Sequence, residues 1–235
     1  MSSITELTGN AVSGGRPKRL AKKVWFKKQT MVNRQHTATC INAVLEAFPE
    51  SIAEDVIEAL DALDGSSHEP SIRDGLRRVV GNQTLVLPSR VYFSGVSEHK
   101  IKSLSQQQKQ IVAALMTRHH SGYQRESWGR VLCESPSTWA TPFAVDLLGD
   151  YVLEILMMLE RSLDAEWMPF VAQLISDNDG ITAPLNHRIL NYWHCYYRWY
   201  PPNIRELRDY PGYVAAARIG LWENGVGKKL LRKKG

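Results

Sequence analysis

Apolar residues recur three and four positions apart along most of this chain, and this spacing constrains the fold more than any other feature. From Thr39 onward, Ile41, Val44, Leu45 and Phe48 fall on one face of a helix. Similar patterns return almost to the C-terminus, separated by proline, glycine and capping residues. The sequence therefore predicts a mostly α fold, a helical bundle or irregular helical array of about seven to nine helices.

Helix-starting and helix-ending residues mark the predicted boundaries. Ser51 and Glu54 form a capping-box pattern for a second helix. The other predicted helices cover Pro70 to Gly81, Ser103 or Ser105 to about His119, a short segment around Trp128, Phe143 to Leu163, Glu166 to Ile175, Pro184 to Tyr200, and Pro211 to about Gly225. A β element is predicted only near 84–93, TLVLPSRVYF, where Pro88 confines it to an edge strand or an extended loop.

Charge is distributed unevenly along the 235 residues. Residues 1–28 carry a net charge of +6 and residues 228–235 carry +5, whereas residues 29–227 carry −6. A chain of this length usually folds around one hydrophobic core. We therefore predict a basic flexible N-terminal tail at 1–28, a single acidic helical domain at 29–227 and a basic C-terminal tail at 228–235.

The two tails contain the predicted nucleic-acid-binding residues. Lysine and arginine bind polyanions because each contact with a phosphate releases a condensed counterion, and aromatic residues among them can stack on unpaired bases. These residues are Arg16, Lys18, Arg19, Lys22, Lys23, Trp25, Phe26, Lys27 and Lys28 in the first tail, and Lys228, Lys229, Arg232, Lys233 and Lys234 in the second. The pattern also fits an anionic membrane surface, or a tail that only solubilises the protein or folds back on its acidic body.

The segment YWHCYYRWYPP, from Tyr192, is unusually rich in aromatic residues. Such residues build cores and also dominate protein contact surfaces. A packed core is the favoured interpretation, and the alternative is a protein contact through Trp193, Tyr196, Tyr197, Trp199 and Tyr200. On the same predicted helix, His187, Asn191, His194 and Arg198 share one side, but the histidines lack the spacing of a zinc pair.

The three predicted helices before residue 81, followed by a strand, have the order of a winged helix, whose third helix reads the major groove of DNA. The candidate readers are Arg73, Arg77 and Arg78, with Asn82 and Gln83 after them. The linker before that helix is longer than the usual helix-turn-helix turn, and the second helix is acidic. An ordinary solvated basic face is therefore the preferred interpretation.

Asp146, Asp150 and Glu154 recur every four residues and form a carboxylate stripe on an otherwise apolar helix. Such a stripe can hold a divalent cation, but no partner stripe is identifiable in the sequence. We therefore predict that this face meets water and that no metal or other cofactor is bound. If the helix were buried instead, unpaired carboxylates on it would be costly.

Three widely spaced cysteines, Cys40, Cys133 and Cys195, form no C-x-x-C pair, which favours a reducing compartment over a disulfide framework. No apolar run indicates a secretion signal or a membrane span. We expect an intracellular protein, cytoplasmic or associated with the nucleoid or nucleus. No nucleophile elbow or phosphate-binding glycine loop is present, so no catalytic residue is predicted and enzymatic activity is unsupported.

These observations favour a non-enzymatic, nucleoprotein-like or packaging-like protein. In that hypothesis the basic tails bind nucleic acid non-specifically, DNA or RNA, and the acidic, aromatic-rich body contacts protein, including copies of itself. The first alternative is a protein–protein interaction module, such as an adaptor or an inhibitor of a basic partner. The second is a metal-dependent enzyme that uses the carboxylate stripe or the histidine pair.

Overall fold

Ten α-helices and one β-hairpin form the fold of the described residues, in an irregular helical array. The structure is a computed structural model that describes residues 36–65, 75–199 and 204–222. The prediction of a mostly α fold with a small β element is confirmed. Both predicted tails and both predicted domain boundaries lie outside the described residues, so the division into tails and body stays a prediction.

The helices and strands are numbered in chain order. The bounds are α1 Ala38–Leu45, α2 Ala53–Asp61, β1 Leu76–Val80, β2 Gln83–Leu87, α3 Glu98–Ser103, α4 Gln106–Met116, α5 Gly122–Leu132, α6 Thr141–Leu147, α7 Leu153–Ser162, α8 Met168–Asp177, α9 Thr182–Tyr192 and α10 Pro211–Arg218. Short 3₁₀ turns lie at Glu50–Ile52, Ala165–Trp167 and Leu207–Asp209, and a π-helical turn, Trp193–Tyr197, continues α9.

Helix α4 lies at the centre of the core. Its residues Ile111–Met116 are fully buried, and it packs against both α2 and α5. Helix α5 packs in turn on α7, and α7 on α10, so one continuous core connects these helices. The predicted cap is confirmed, because the Ser105 hydroxyl accepts from the Gln108 N–H and the Gln108 amide oxygen accepts from the Ser105 N–H.

A β-hairpin stands where the third helix was predicted. Strand β1 pairs with β2 in an antiparallel register that sets Val80 opposite Gln83 and leaves a two-residue turn. Gly81 occupies the first turn position with φ +60°, a conformation that favours glycine. The predicted helix is therefore wrong over its described part. The winged-helix interpretation is wrong as well, since Arg77 and Arg78 lie on a strand.

The predicted long helix from Phe143 to Leu163 is two helices, α6 and α7, separated by five residues. Asp150 accounts for the break, because its Oδ1 accepts a hydrogen bond from the Val152 N–H, 3.0 Å away, and so replaces a helical bond.

Other boundaries were predicted with mixed success. Pro211 does begin the last helix, although that helix ends at Arg218 and not near Gly225. The capping box at Ser51 is wrong, because Ile52 precedes α2 and makes no capping hydrogen bond. Within residues 36–65, 75–199 and 204–222, no helix has the length and apolar character needed to cross a bilayer.

Candidate functional sites: an arginine cleft and an aromatic surface

The predicted carboxylate stripe does not face water. Asp146 and Asp150 are only 5% and 9% exposed, and Glu154 alone lies at the surface. The prediction of a solvated stripe is therefore wrong. Each buried aspartate is paired with arginine from another part of the chain, so neither is an unpaired charge.

Asp146, on α6, bridges two arginines. Its Oδ2 accepts from Nη1 of Arg118, and its Oδ1 accepts from Nη2 of Arg188 on α9, 2.8 Å away. Arg118 also donates through Nε to the carbonyl of Pro88, at 2.8 Å. Burial by itself would raise the pKa of Asp146, but the two guanidinium groups outweigh burial and hold this pKa below its ordinary value. Asp146 is therefore ionised in the folded protein at neutral pH.

Asp150 forms a two-pronged ion pair with Arg125. Nε of Arg125 lies 2.8 Å from Oδ2, and Nη2 lies 3.1 Å from Oδ1. Nη1 of Arg125 donates to the carbonyls of His119 and His120, at 3.0 and 2.9 Å. All three guanidinium nitrogens of Arg125 are hydrogen-bonded and only 1% of its surface is exposed, so Arg125 is a paired buried cation that joins α5 to the α6–α7 break.

Two further arginines, Arg78 and Arg90, lie within electrostatic range of this network. Each is partly buried, and each donates to a neighbouring backbone carbonyl. Within the described stretches neither forms an ion pair with a carboxylate. Burial lowers the pKa of Arg78, and Arg188 and Arg118 lower it further while Asp146 opposes them. The network, with Arg118, Arg125 and Arg188, thus holds more positive than negative charge.

A cleft of about 570 Å³ opens beside Asp146. It lies between β1, the end of α6, and the loop that joins α8 to α9. The charged residues that line it are Arg77, Arg78, Asp146, Asp177, Asp179 and Arg188. Arg188 lies so close to Gly149 that a Cβ placed there would be 2.7 Å from the guanidinium carbon. Glycine at this position therefore allows Arg188 to reach Asp146.

Asn178 attaches the hairpin to the other wall of the cleft. Its Oδ1 accepts from the Val79 N–H and its Nδ2 donates to the Val79 carbonyl, both at 2.8 Å. Asp177, next to it, accepts from the Gly81 N–H at 3.2 Å and from the Gln173 amide at 2.7 Å. These bonds fix the position of Arg78 relative to Arg188.

A second feature, the aromatic surface, consists of Tyr151, Tyr192, Tyr196, Arg198 and Trp199. The three tyrosine rings lie 6.0 to 6.5 Å apart, centroid to centroid. The Arg198 guanidinium lies 4.8 Å from the Trp199 ring centroid, a cation–π distance. Trp199 is 78% exposed and Tyr196 57% exposed. The π-helical turn Trp193–Tyr197 carries part of this surface.

The predicted contact residues fall into two groups. Trp193 and Tyr197 pack against the core, where the Trp193 indole donates to the Ile204 carbonyl at 3.1 Å and Tyr197 stacks on Tyr210. Tyr196 and Trp199 are exposed, so the packed-core interpretation fails for them. Tyr200 lies outside the described residues.

His187, Asn191 and His194 are exposed, and no group of three or more potential metal ligands occurs among the residues that the structure describes. The predicted nucleic-acid-binding residues of both tails, Arg16 to Lys28 and Lys228 to Lys234, also lie outside those residues. The arginine network was missed from the sequence. Its one signal was a pair of aspartates on an apolar segment, which gives no indication of their partners.

Comparisons of the chain with protein-family models, with curated proteins and with solved structures found no match in any of the three. Function is therefore inferred from the two sites and from the charge pattern of the sequence.

Proposed function

We propose that the protein binds single-stranded nucleic acid, with bases stacked on the aromatic surface and phosphates bound by the basic tails. The observation that supports this most is the exposure of Trp199 and Tyr196, together with the Arg198 guanidinium 4.8 Å from the Trp199 ring centroid. Proteins that bind single strands without sequence preference combine aromatic stacking platforms with positive charge. The basic tails supply that charge, because the body itself is acidic.

The spacing of the rings favours stacking on unpaired bases. The Tyr151, Tyr192 and Tyr196 rings form a cluster, and Trp199, three residues after Tyr196, is 78% exposed. Bases in a duplex are already stacked and paired, so their faces are unavailable to such a surface. We therefore expect a preference for single strands over duplexes.

The C-terminal tail is attached close enough to act together with the aromatic surface. Asn186, on α9, donates to the Leu221 carbonyl at 3.2 Å, which holds the end of the described chain against this helix. Asn186 precedes Tyr192, the first aromatic-surface residue on this helix, by six residues, or about 9 Å of helix. Lys228 follows Trp222 by six residues, and six residues span at most about 20 Å.

The test is fluorescence anisotropy with labelled oligothymidylate, its RNA counterpart and a duplex, using the full chain. We expect Trp199→Ala and Tyr196→Ala each to weaken single-strand binding roughly 5- to 100-fold, the range of one lost stacking contact. Tyr123→Ala is the matched control, because Tyr123 is 85% exposed and makes no ring contact with the aromatic surface. Unchanged affinity in both test variants would contradict a stacking role.

Protein contact at the same surface is the second candidate. Tryptophan, tyrosine and arginine are the residues that most often dominate binding energy in protein interfaces, and three of the exposed residues here are of these types. Failure of the full chain to bind any nucleic acid at low salt would favour it. Sedimentation of the wild type and Trp199→Ala would then show whether the partner is a second copy of the chain.

A further inference from the structure

Positive charge is concentrated in the part of the cleft around Asp146. Arg78, Arg118 and Arg188 all interact electrostatically with Asp146, and this aspartate supplies only one negative charge. Asp150 does not compensate, because Arg125 occupies both of its oxygens. The three arginines around Asp146 therefore exceed it by two positive charges, whereas the cleft lining as a whole is balanced, with Arg77, Arg78 and Arg188 against Asp146, Asp177 and Asp179.

The two arginines that line the cleft retain free hydrogen-bond donors. A guanidinium group has five N–H donors. Arg78 uses one on the Arg77 carbonyl, and Arg188 uses one on Asp146. Within the described residues, no other hydrogen bond involves either guanidinium. Both therefore face the cleft with most of their donors unengaged.

We propose that this cleft binds a small molecule carrying a phosphate monoester, with the phosphate held between Arg78 and Arg188. A phosphate monoester carries a charge between −1.5 and −2 at neutral pH, which matches the local excess of positive charge. Arginine binds phosphate in a forked geometry with two parallel hydrogen bonds. Arg118 lies behind the site, paired with Asp146, and adds to its positive potential.

Cleft size and lining indicate the rest of the ligand. A volume of about 570 Å³ is typical of sites for small molecules and larger than a bare phosphate needs. Asp179, exposed at the cleft, can accept hydrogen bonds from hydroxyl groups, whereas Asp177 is already engaged by Gly81 and Gln173. The lining therefore fits a phosphorylated sugar or a nucleoside monophosphate.

The same phosphate chemistry has two sources, a free metabolite or the 5′ end of a nucleic acid strand. The site is separate from the aromatic surface, and the proposal does not depend on the proposed function. Isothermal titration of the full chain distinguishes the sources, with ribose 5-phosphate and a 5′-phosphorylated thymidine dinucleotide as probes. Ribose and the unphosphorylated dinucleotide are the corresponding ligands without the phosphate.

We expect saturable binding of one ribose 5-phosphate per chain and none of ribose. Arg78→Gln should weaken that binding at least tenfold, and Arg78→Lys should restore part of it, because lysine keeps the charge but not the fork. Arg130→Gln is the matched control, an exposed arginine whose partner Glu126 lies outside the cleft. Arg78 forms no ion pair in the described chain, so its loss strands no buried carboxylate, and an unchanged melting temperature verifies the fold.

Three results overturn the proposal. The first is no binding of either phosphorylated probe by the wild type. The second is equal binding by wild type and Arg78→Gln, which would place the phosphate on the tails. The third is an equal loss of binding in Arg130→Gln. Binding of the 5′-phosphorylated dinucleotide alone would assign the phosphate to a strand end. Fluorescence anisotropy of Arg78→Gln with oligothymidylate separates this proposal from the proposed single-strand binding. Because the aromatic surface is intact in this variant, its affinity for oligothymidylate should equal that of the wild type.

Discussion

Asp146 is a buried carboxylate whose charge is retained only because two arginines reach it. Breaking a buried ion pair from one side leaves an uncompensated charge and costs about 3–5 kcal/mol. We expect Asp146→Asn to lower the free energy of unfolding at pH 7 by about that amount. Urea denaturation of the full chain measures it.

The same variant tests the pH dependence. The pKa of Asp146 is lower in the folded protein than in the unfolded chain, so its stabilising effect is present above about pH 4 and is lost as the pH falls through the folded value. Asp146→Asn should therefore lose less stability than the wild type between pH 4 and pH 2. Asp179→Asn, at an exposed position, is the control and should follow the wild type. If the free energy of unfolding changed with pH in parallel for wild type and Asp146→Asn, the lowered pKa of Asp146 would be contradicted.

Residue by residue, the sequence revealed only half of this site. Two aspartates on an apolar segment are the only sign of the site in the sequence, and burying them unpaired would be costly. Their partners could not be found, because Arg118 and Arg188 lie 28 and 42 residues from Asp146 and no local pattern connects them. A pairing of this kind is decided by tertiary packing, which periodicity does not describe.

Among the secondary-structure elements, the hairpin is the clearest failure of sequence reasoning. Leu76, Val79 and Val80 fit helical spacing, and Gly81 serves equally as a helix end or as a hairpin turn. Pairing with β2 and the hydrogen bonds from Asn178 select a strand over a helix for residues 76–80. The starts of the helices that follow Ser105 and begin at Pro211 were predicted correctly, because capping serines and helix-starting prolines are local signals.

Asn178 should therefore be important for the hairpin. Asn178→Ala removes both hydrogen bonds to Val79, and we expect a loss of about 1–3 kcal/mol in the local stability of β1. Native-state hydrogen exchange of the Val79 amide measures it. Ser176→Ala, at an exposed position on the same helix, is the control. Unchanged protection at Val79 would show that strand pairing alone holds the hairpin.

At the scale of the whole molecule, charge separation gives a quantitative prediction. Each phosphate neutralised on a single strand contributes about 0.7 to the slope of log K against log salt. Replacing the five C-terminal basic residues Lys228, Lys229, Arg232, Lys233 and Lys234 by glutamine should lower that slope by up to about 3.5. Replacing the four lysines by arginine preserves charge and should leave the slope unchanged. An unaltered slope in the glutamine variant would place phosphate binding elsewhere.

The paired arginines and aspartates also restrict how this sequence can change over evolutionary time. Substituting Asp150 strands Arg125 in the core, and substituting Arg125 strands Asp150, so a single change at either position is selected against. The two positions must therefore be substituted together, either by another ion pair or by two apolar residues. Among distant relatives, correlated substitution at 125 and 150, and at 118, 146 and 188, should therefore remain detectable after overall similarity has disappeared.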